Sequence, residues 1–344
     1  MTSITDASVG AQPTDDELVD MMTTMIAARV YSTRLFNLQR QGRAGTSAPV
    51  DGHEALVVGA ASALDPSADW VVPQYREQVA LGRFGHGIIA QHVRYQMGDP
   101  AGASYGPDVR VLPIAISLAS QVPHAVGLAW GLKLRGERGV VVCFLGDGAS
   151  SEGDFYEAAN LAGVVDAPVV LVVANNHWAI STPASIQTAA ESFAAKAAAF
   201  GMPGVHVDGR DPVAMREVVA AARARALAGD GPTLVEAETY RLGPHTTADD
   251  PTRYVPNEEI DRARAADPLV TFGARLRELG LWDDERHAAA EAEAGARMDE
   301  AVERAEATTL APTAMFDHVF AEDTPRMRRQ RAALERHVDG RGAR

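Results

Sequence analysis

The sequence predicts an α/β fold: a parallel sheet covered by helices on both faces, with N-terminal helices before it and a helical C-terminal extension after it. Three observations carry that expectation. Four short β-branched runs stand out, GVVVCFLG (139–146), APVVLVVANN (167–176), PGVHVDG (203–209) and PTLVEAETY (232–240). Helical segments separate them, and strands that alternate with helices assemble into parallel sheets. After residue 255 the strand signal disappears and the chain reads as helix.

Taken in order, residues 1–13 read as a disordered leader. A helix opens at TDDEL, where Thr14 caps it and Glu17 completes a capping box. Leu18, Met22, Met25 and Ile26 then recur at helical spacing, and the helix runs to about residue 41. QGRAGTSAPVDG is a loop and HEALVVGAASAL the next helix. FYEAANLAG is helix-like and lies between the first two runs. DPVAMREVVAAARARALAG, between the last two, has Asp211 as cap, Pro212 in its first turn and Gly229 at its stop. Beyond residue 255, NEEIDRARAADP, LVTFGARLRELG and DDERHAAAEAEAGARMDEAVERAEA are helical. RMRRQRAALERHVDGRGAR closes the chain as a basic, solvated helix with a frayed tail. These readings place an α/β domain, N-terminal helices included, at 14–255 and the helical extension at 256–344.

A chain of 344 residues can bury the core of one large or two modest domains. Its formal charge of −14 argues against a nucleic-acid partner, because phosphate contacts need a basic face. The single cysteine, Cys143, lies in an apolar run, which excludes an intrachain disulfide and fits a buried, inert thiol in a reducing compartment. MTSITDASVG lacks the layout of a secretion signal and no apolar run approaches a membrane span, so the expected location is cytoplasmic.

The chemistry concentrates at LGDGASSEGD, residues 145–154. Asp147 stands between two glycines where the first run meets a helix. A tight turn explains the glycines but not the acid. Ligands of parallel sheets collect outside the carboxyl ends of the strands. The next run ends in Asn175 and Asn176, so adjacent strands would bring Asp147 and Asn176 to one edge. An aspartate oxygen, an asparagine carbonyl and a backbone carbonyl suit magnesium shared with phosphate oxygens. Gly148, Ala149 and the following N–H groups, at a helix N-terminus, suit a diphosphate. Rival motifs are missing: the sequence has no GxGxxG after this strand, no GxxxxGK[ST], no GxSxG, no HExxH and no paired CxxC. A lone GDG is an ordinary turn. With NN closing the next strand it is a candidate site.

The stretch GDGASSEGDFYEAANLAGVVDAPVVLVVANN closely resembles the thiamin diphosphate motif, which opens with GDG and closes with a double asparagine. The likeness extends over roughly residues 14 to 335 and is to the alpha subunits of the decarboxylating 2-oxo acid dehydrogenases. DWVVPQYREQ, SLASQVPHAVGLA, AFGMPGVHVDGRD and YRLGPHTTADDPTRYVPNEEI each resemble a block of that family. GPHTTADDPTRY and GLWDDE are more similar to the branched-chain type than to the pyruvate type. The resemblance implies the thiamin diphosphate-binding fold and oxidative decarboxylation of a 2-oxo acid, with the acyl group passed to the lipoyl group of a partner acyltransferase. Pyruvate or acetoin as substrate, or a scaffold subunit that has lost catalysis, are the alternatives.

The same resemblance implies roles for single residues. Asp147, Asn176 and the Trp178 carbonyl would ligate Mg2+. Gly146, Gly148 and Ala149 would line the diphosphate, and Tyr75 and Arg76 would reach its oxygens. Leu118 would lie against the aminopyrimidine, and His245 would face the reacting centre as the catalytic histidine. His53 is read as structural, and Glu152 as support behind the site or else as a first-turn acid favoured by the helix dipole. Thr246 occupies a position where some members carry a phosphorylated serine. The segment GDPAGASYGPDVRVLPIAI is shorter than its family counterpart, and Ala174 replaces an arginine found in some members. The glutamate that activates the cofactor belongs in this family to the beta subunit, and one sheet domain leaves no room for it here. A two-plus-two heterotetramer is therefore implied, with the site between an alpha and a beta chain.

Overall fold

The computed structural model describes residues 12–342 apart from 86, 310 and 318, so most of the leader expected over 1–13, and the end of the basic tail, lie outside the described residues. Helix α1 (Asp15–Arg40) starts as its sequence dictates. Thr14 Oγ1 accepts from the Glu17 N–H at 3.2 Å, while the Glu17 carboxylate accepts from the Thr14 N–H at 2.8 Å. Then follow α2 (Glu54–Ser62), α3 (Ile88–Gln96), α4 (Gln121–Arg135), α5 (Gly153–Val164) and α6 (Pro212–Leu227). Asp211 caps α6, its Oδ1 accepting from the Val213 N–H at 2.9 Å.

The strands are β1 (Trp70–Val72), β2 (Val141–Gly146), β3 (Val169–Asn175), β4 (Trp178–Ala179), β5 (Thr182–Pro183), β6 (Gly204–Asp208) and β7 (Thr233–Glu238). Five of them form one parallel sheet in the order β1-β2-β3-β7-β6, and β4 and β5 make a small antiparallel pair. All four expected runs are strands of that sheet. β1 is an addition: three residues are too few to show a pattern in the sequence. It is held by the Trp70 N–H on the Val140 carbonyl at 2.9 Å and by a bridge from Val71 to Val111.

Side chains along the strands alternate between two cores. Val142, Phe144, Val170, Val172 and Val235 pack with α1, α2 and α6 on one face. Val141, Cys143, Leu145, Leu171 and Val173 pack with α4 and α5 on the other. The sheet is thus buried on both sides, which leaves its strand ends as the place where backbone and polar side chains meet a ligand. Burial pushes the Cys143 thiol up, in keeping with an inert core residue.

The C-terminal helices are α7 (Asn257–Ala265), α8 (Pro268–Glu278), α9 (Asp284–Glu306) and α10 (Pro325–Gly342). Phe272 and Leu276 of α8, with Met298 and Ala301 of α9, share the core of α1. Arg29 of α1 ties this junction together, pairing with Asp267 at 3.0 Å and with the buried Glu54. No described helix is long and apolar enough to cross a membrane.

Contact between α2 and α6 is close enough to forbid a side chain at Gly59. A Cβ there would stand 2.4 Å from the Pro212 carbonyl oxygen and 2.7 Å from Met215 Cβ. Gly59→Ala should therefore destabilise the protein by roughly 1–3 kcal/mol in denaturant unfolding, the usual cost of overpacking. Gly295→Ala, in α9 with nothing within 4 Å of the added atom, should stabilise it by about 0.4–1 kcal/mol. A second expectation concerns His92, fully enclosed in α3, where burial lowers its pKa from 6.5 to about 4. Folded, the ring stays neutral; unfolded, it takes a proton below 6.5. Its contribution is complete above pH 6.5 and is lost as pH falls toward 4. Melting temperature should drop over that window, and His92→Phe should make the drop shallower.

Candidate functional site

Register creates the site. Gly146 of β2 pairs with Ala174 of β3, and the Asp147 N–H donates to the Ala174 carbonyl at 3.3 Å. Asp147 therefore leaves β2 beside the point where β3 gives way to Asn175 and Asn176. β1, on the other side of β2, delivers the turn 73–77 to the same edge. All ten residues assigned from the sequence line one cleft of about 160 Å³: Tyr75, Arg76 and Leu118 from one side, Gly146, Asp147, Gly148 and Ala149 from its floor, and Asn176, Trp178 and His245 from the other side.

The floor is a 3-10 turn over Gly148–Ser151. Gly148 is required there, because a Cβ would stand 2.6 Å from Ala179 Cβ. Asp147 is 1% exposed, and burial pushes its carboxyl up from its ordinary value against the opposing hydrogen bond from Gln187. That bond, Gln187 Nε2 to Asp147 Oδ2 at 2.9 Å, is its side-chain partner. A buried carboxylate whose one side-chain donor is neutral is a good seat for a cation. Asn176 Nδ2 meets His53 Nε2 at 3.1 Å, and its Oδ1 accepts from the Trp178 N–H at 3.2 Å. Since the amide donates, His53 Nε2 accepts, and burial with Arg76 and Arg241 nearby lowers this imidazole to about 3. His53 lines the cleft and orients Asn176, so its structural part is played inside the site.

The turn before α3 is shaped by Glu77, whose carboxylate accepts from the Gln74 and Arg76 N–H groups at 3.0 and 3.1 Å. Gln74 Oε1 in turn accepts from the Gly146 N–H at 3.0 Å, which fastens this turn to the end of β2. Arg76 is buried, donating to the Pro49 carbonyl at 2.6 Å and to both the Nδ1 and the carbonyl of His245, at 3.0 and 2.8 Å. Burial and the second guanidinium, Arg241, hold Arg76 below its ordinary pKa. His245 stands edge-on to Tyr75, ring centroids 6.3 Å apart. Facing donors at Nδ1, it keeps its proton on Nε2. Burial, then Arg76 and Arg241, lower it to about 4, so it is neutral at pH 7.

Sequence reasoning missed three residues. Arg241 is 5% exposed and donates to the Trp178 and Ile180 carbonyls at 3.1 and 2.9 Å and to Tyr254 Oη at 2.9 Å. Its only signal was its place just past the end of β7, four residues before His245. Gln187 and Gln74 gave no signal. Glu152, expected behind the site, is instead exposed at the start of α5, where its backbone N–H bonds Ala149. The loop carrying Trp178 holds non-glycine residues at positive φ, His177 at 68° and Ile180 at 55°, and Ala119 beside Leu118 is at 61°. Such strain persists where surrounding contacts enforce it, and it gathers at ligand sites.

Among the described residues no group of three or more His, Cys, Asp or Glu side chains could hold a metal, so a zinc-type cage is absent there. One carboxylate, one amide oxygen and one backbone carbonyl form instead an incomplete oxygen set, which suits a hard cation that also takes oxygens from a phosphorylated ligand. The model of the family described as dehydrogenase E1 component matches residues 22–313. The chain is 45% identical over 315 residues to the 3-methyl-2-oxobutanoate dehydrogenase subunit alpha of Mycobacterium tuberculosis (strain CDC 1551 / Oshkosh), covering 90% of this chain and 84% of the relative. It is 40% identical over 314 residues to the pyruvate dehydrogenase E1 component subunit alpha of Staphylococcus aureus (strain Mu50 / ATCC 700699), covering 91% of this chain and 84% of that one. Thiamin diphosphate with magnesium is the cofactor pair of this family. Fold, strand-end cleft and family match agree: the chain belongs to the dehydrogenase E1 component family, as an alpha subunit of a thiamin diphosphate-dependent 2-oxo acid dehydrogenase.

Proposed function

We propose that the cleft is this chain's half of an active site for oxidative decarboxylation of a branched-chain 2-oxo acid, with acyl transfer to the lipoyl group of a partner acyltransferase. The observation that carries the reading is the convergence of Asp147, Asn176, Trp178, Arg76 and His245 on one cleft at the strand ends. Its branched-chain form is supported by GPHTTADDPTRY and by the name and 45% identity of the mycobacterial relative, against 40% for the pyruvate type.

The residues fit the cofactor. Asp147, raised by burial, gains from a cation, and Gly148 and Ala149 line the cleft where a diphosphate would lie. Mg2+ would be held by Asp147, the Asn176 amide oxygen and the Trp178 carbonyl, which has a lone pair beyond the one Arg241 uses. Tyr75 and Arg76 would face the diphosphate oxygens, and Leu118, 42% exposed on the rim, the aminopyrimidine. Thiamin diphosphate, when bound, supplies the electron sink that no side chain provides as carbon dioxide leaves. His245 holds a proton at Nε2 and, being neutral, donates a hydrogen bond to substrate oxygen without adding a full charge. Asp249 fixes its backbone, accepting from the His245 N–H at 2.7 Å, and Tyr254 Oη binds the same carboxylate oxygen at 2.7 Å.

The second half of the site belongs to a beta chain in a two-plus-two heterotetramer. Exposed apolar side chains support this: Ile116 and Leu118 before α4, Trp130 and Leu134 on α4, and Tyr156 and Val164 on neighbouring α5.

Asp147→Ala should abolish magnesium-dependent binding of thiamin diphosphate in calorimetry on the alpha–beta complex, without lowering the melting temperature. Normal binding by that variant removes Asp147 from the metal set. His245→Asn should leave cofactor affinity within a few-fold while turnover falls by about 10²-fold or more, the usual worth of a positioned proton donor. Among 3-methyl-2-oxobutanoate, pyruvate and acetoin, kcat/KM should be highest for the first. A higher value for either of the others reassigns the substrate.

A further inference from the structure

Behind the floor of the cleft lies a charge that the site as described does not use. Lys196 is 8% exposed, in the 3-10 helix Ala194–Phe200. Its Nζ donates to the carbonyl of Ser150 at 2.9 Å and to Ser150 Oγ at 3.0 Å. Ser150 Oγ passes the contact on, donating to the Asp147 carbonyl at 2.7 Å. Three rings enclose the ammonium, Phe193, Tyr156 and Phe155, with centroids 5.2, 5.3 and 5.9 Å from Nζ. Its hydrogen-bond partners among the described residues, the Ser150 carbonyl and hydroxyl, are both neutral. A buried cation normally has an anion, and ring faces offset only part of its desolvation.

The helix that carries Lys196 is also fixed at its first residue, through Glu236 of β7, to Asn175 at the end of β3. The Ala194 N–H donates to Glu236 Oε2 at 2.8 Å, and Asn175 Nδ2 donates to Glu236 Oε1 at 2.8 Å. One short helix therefore braces both the Asp147 turn and the Asn175–Asn176 end. Because Lys196 bonds the Ser150 carbonyl and Ser150 bonds the Asp147 carbonyl, its positive charge is held against the turn 147–151. Its field also reaches the turn from the side opposite the cleft.

We propose that Lys196 is a positioning residue for the diphosphate: a caged ammonium behind the turn 147–151 whose compensating anion is the diphosphate on the turn's other face. The proposal rests on the reading of the cleft as a cofactor half-site.

The test uses the full alpha–beta complex with magnesium and compares two ligands, thiamin diphosphate and thiamin monophosphate, by calorimetry. Lys196→Met removes the charge and the hydrogen bonds; Lys196→Gln keeps a donor and removes only the charge. Both variants should bind the diphosphate about tenfold more weakly, a change of one decade in Kd, and the preference for diphosphate over monophosphate should narrow. The melting temperature of the cofactor-free complex should stay put. Unchanged diphosphate affinity in either variant overturns the proposal. So does an equal loss for both ligands, or a loss accompanied by a lost melting transition, since either makes the lysine a structural prop. Failure of the wild-type complex to bind thiamin diphosphate overturns the cofactor reading and this proposal together, whereas wild-type binding with unaffected variants overturns this proposal alone.

Discussion

The pairing of β2 with β3 in register, Gly146 against Ala174, is the constraint on which the rest depends. Hydrogen bonds between parallel strands fix relative position along the strand axis, so Asp147 and Asn176 are neighbours however the loops beyond them vary. Slipping the register by one residue would also exchange the two hydrophobic faces, burying Cys143 and Leu145 where Val142 and Phe144 belong. Core packing therefore protects the site without touching it. β1 and β7 add their turns to an edge whose position is already set.

Around that edge the electrostatics are lopsided. Arg76, Arg241 and Lys196 are all buried, and two acids that line the cleft, Glu77 and Asp147, are raised from their ordinary values by burial. Two histidines, His53 and His245, are held neutral in the same space. Such a set is prepared for an anionic ligand accompanied by a cation. The helices on both sheet faces make this arrangement rigid, so little reorganisation accompanies binding.

Much of this was readable in the amino-acid sequence, and the reasons are physical. β2, β3 and β7 lie inside a sheet buried on both faces and so appear as apolar, β-branched runs, while the edge strand β6 is mostly exposed and shows as a shorter one. The α1 start is local chemistry, Thr14 with Glu17. GDG and NN could be paired because chain order already implied adjacent strands. β1 was hidden, since three residues carry no period. Arg241, Gln187 and Gln74 were hidden for another reason: their partners are backbone carbonyls, an N–H and a carboxylate supplied by distant segments, and such contacts leave no spacing in the chain. Glu152 shows the reverse error, an acid beside the motif that faces solvent. His53 was visible but its contact with Asn176, 123 residues on, was not, which is why its place in the cleft had to come from the fold.

The contact between Gly148 and Ala179 reaches beyond this one molecule. The turn under the cleft and the β4 segment that carries Trp178 touch so closely that a side chain added at 148 would meet the methyl at 179. Neither position is free to drift alone. Over evolutionary time the two should be inherited as a single character. A lineage that enlarged residue 179 toward the turn would have to rebuild the turn as well, so the floor of the cleft and the segment that carries Trp178 share one fate.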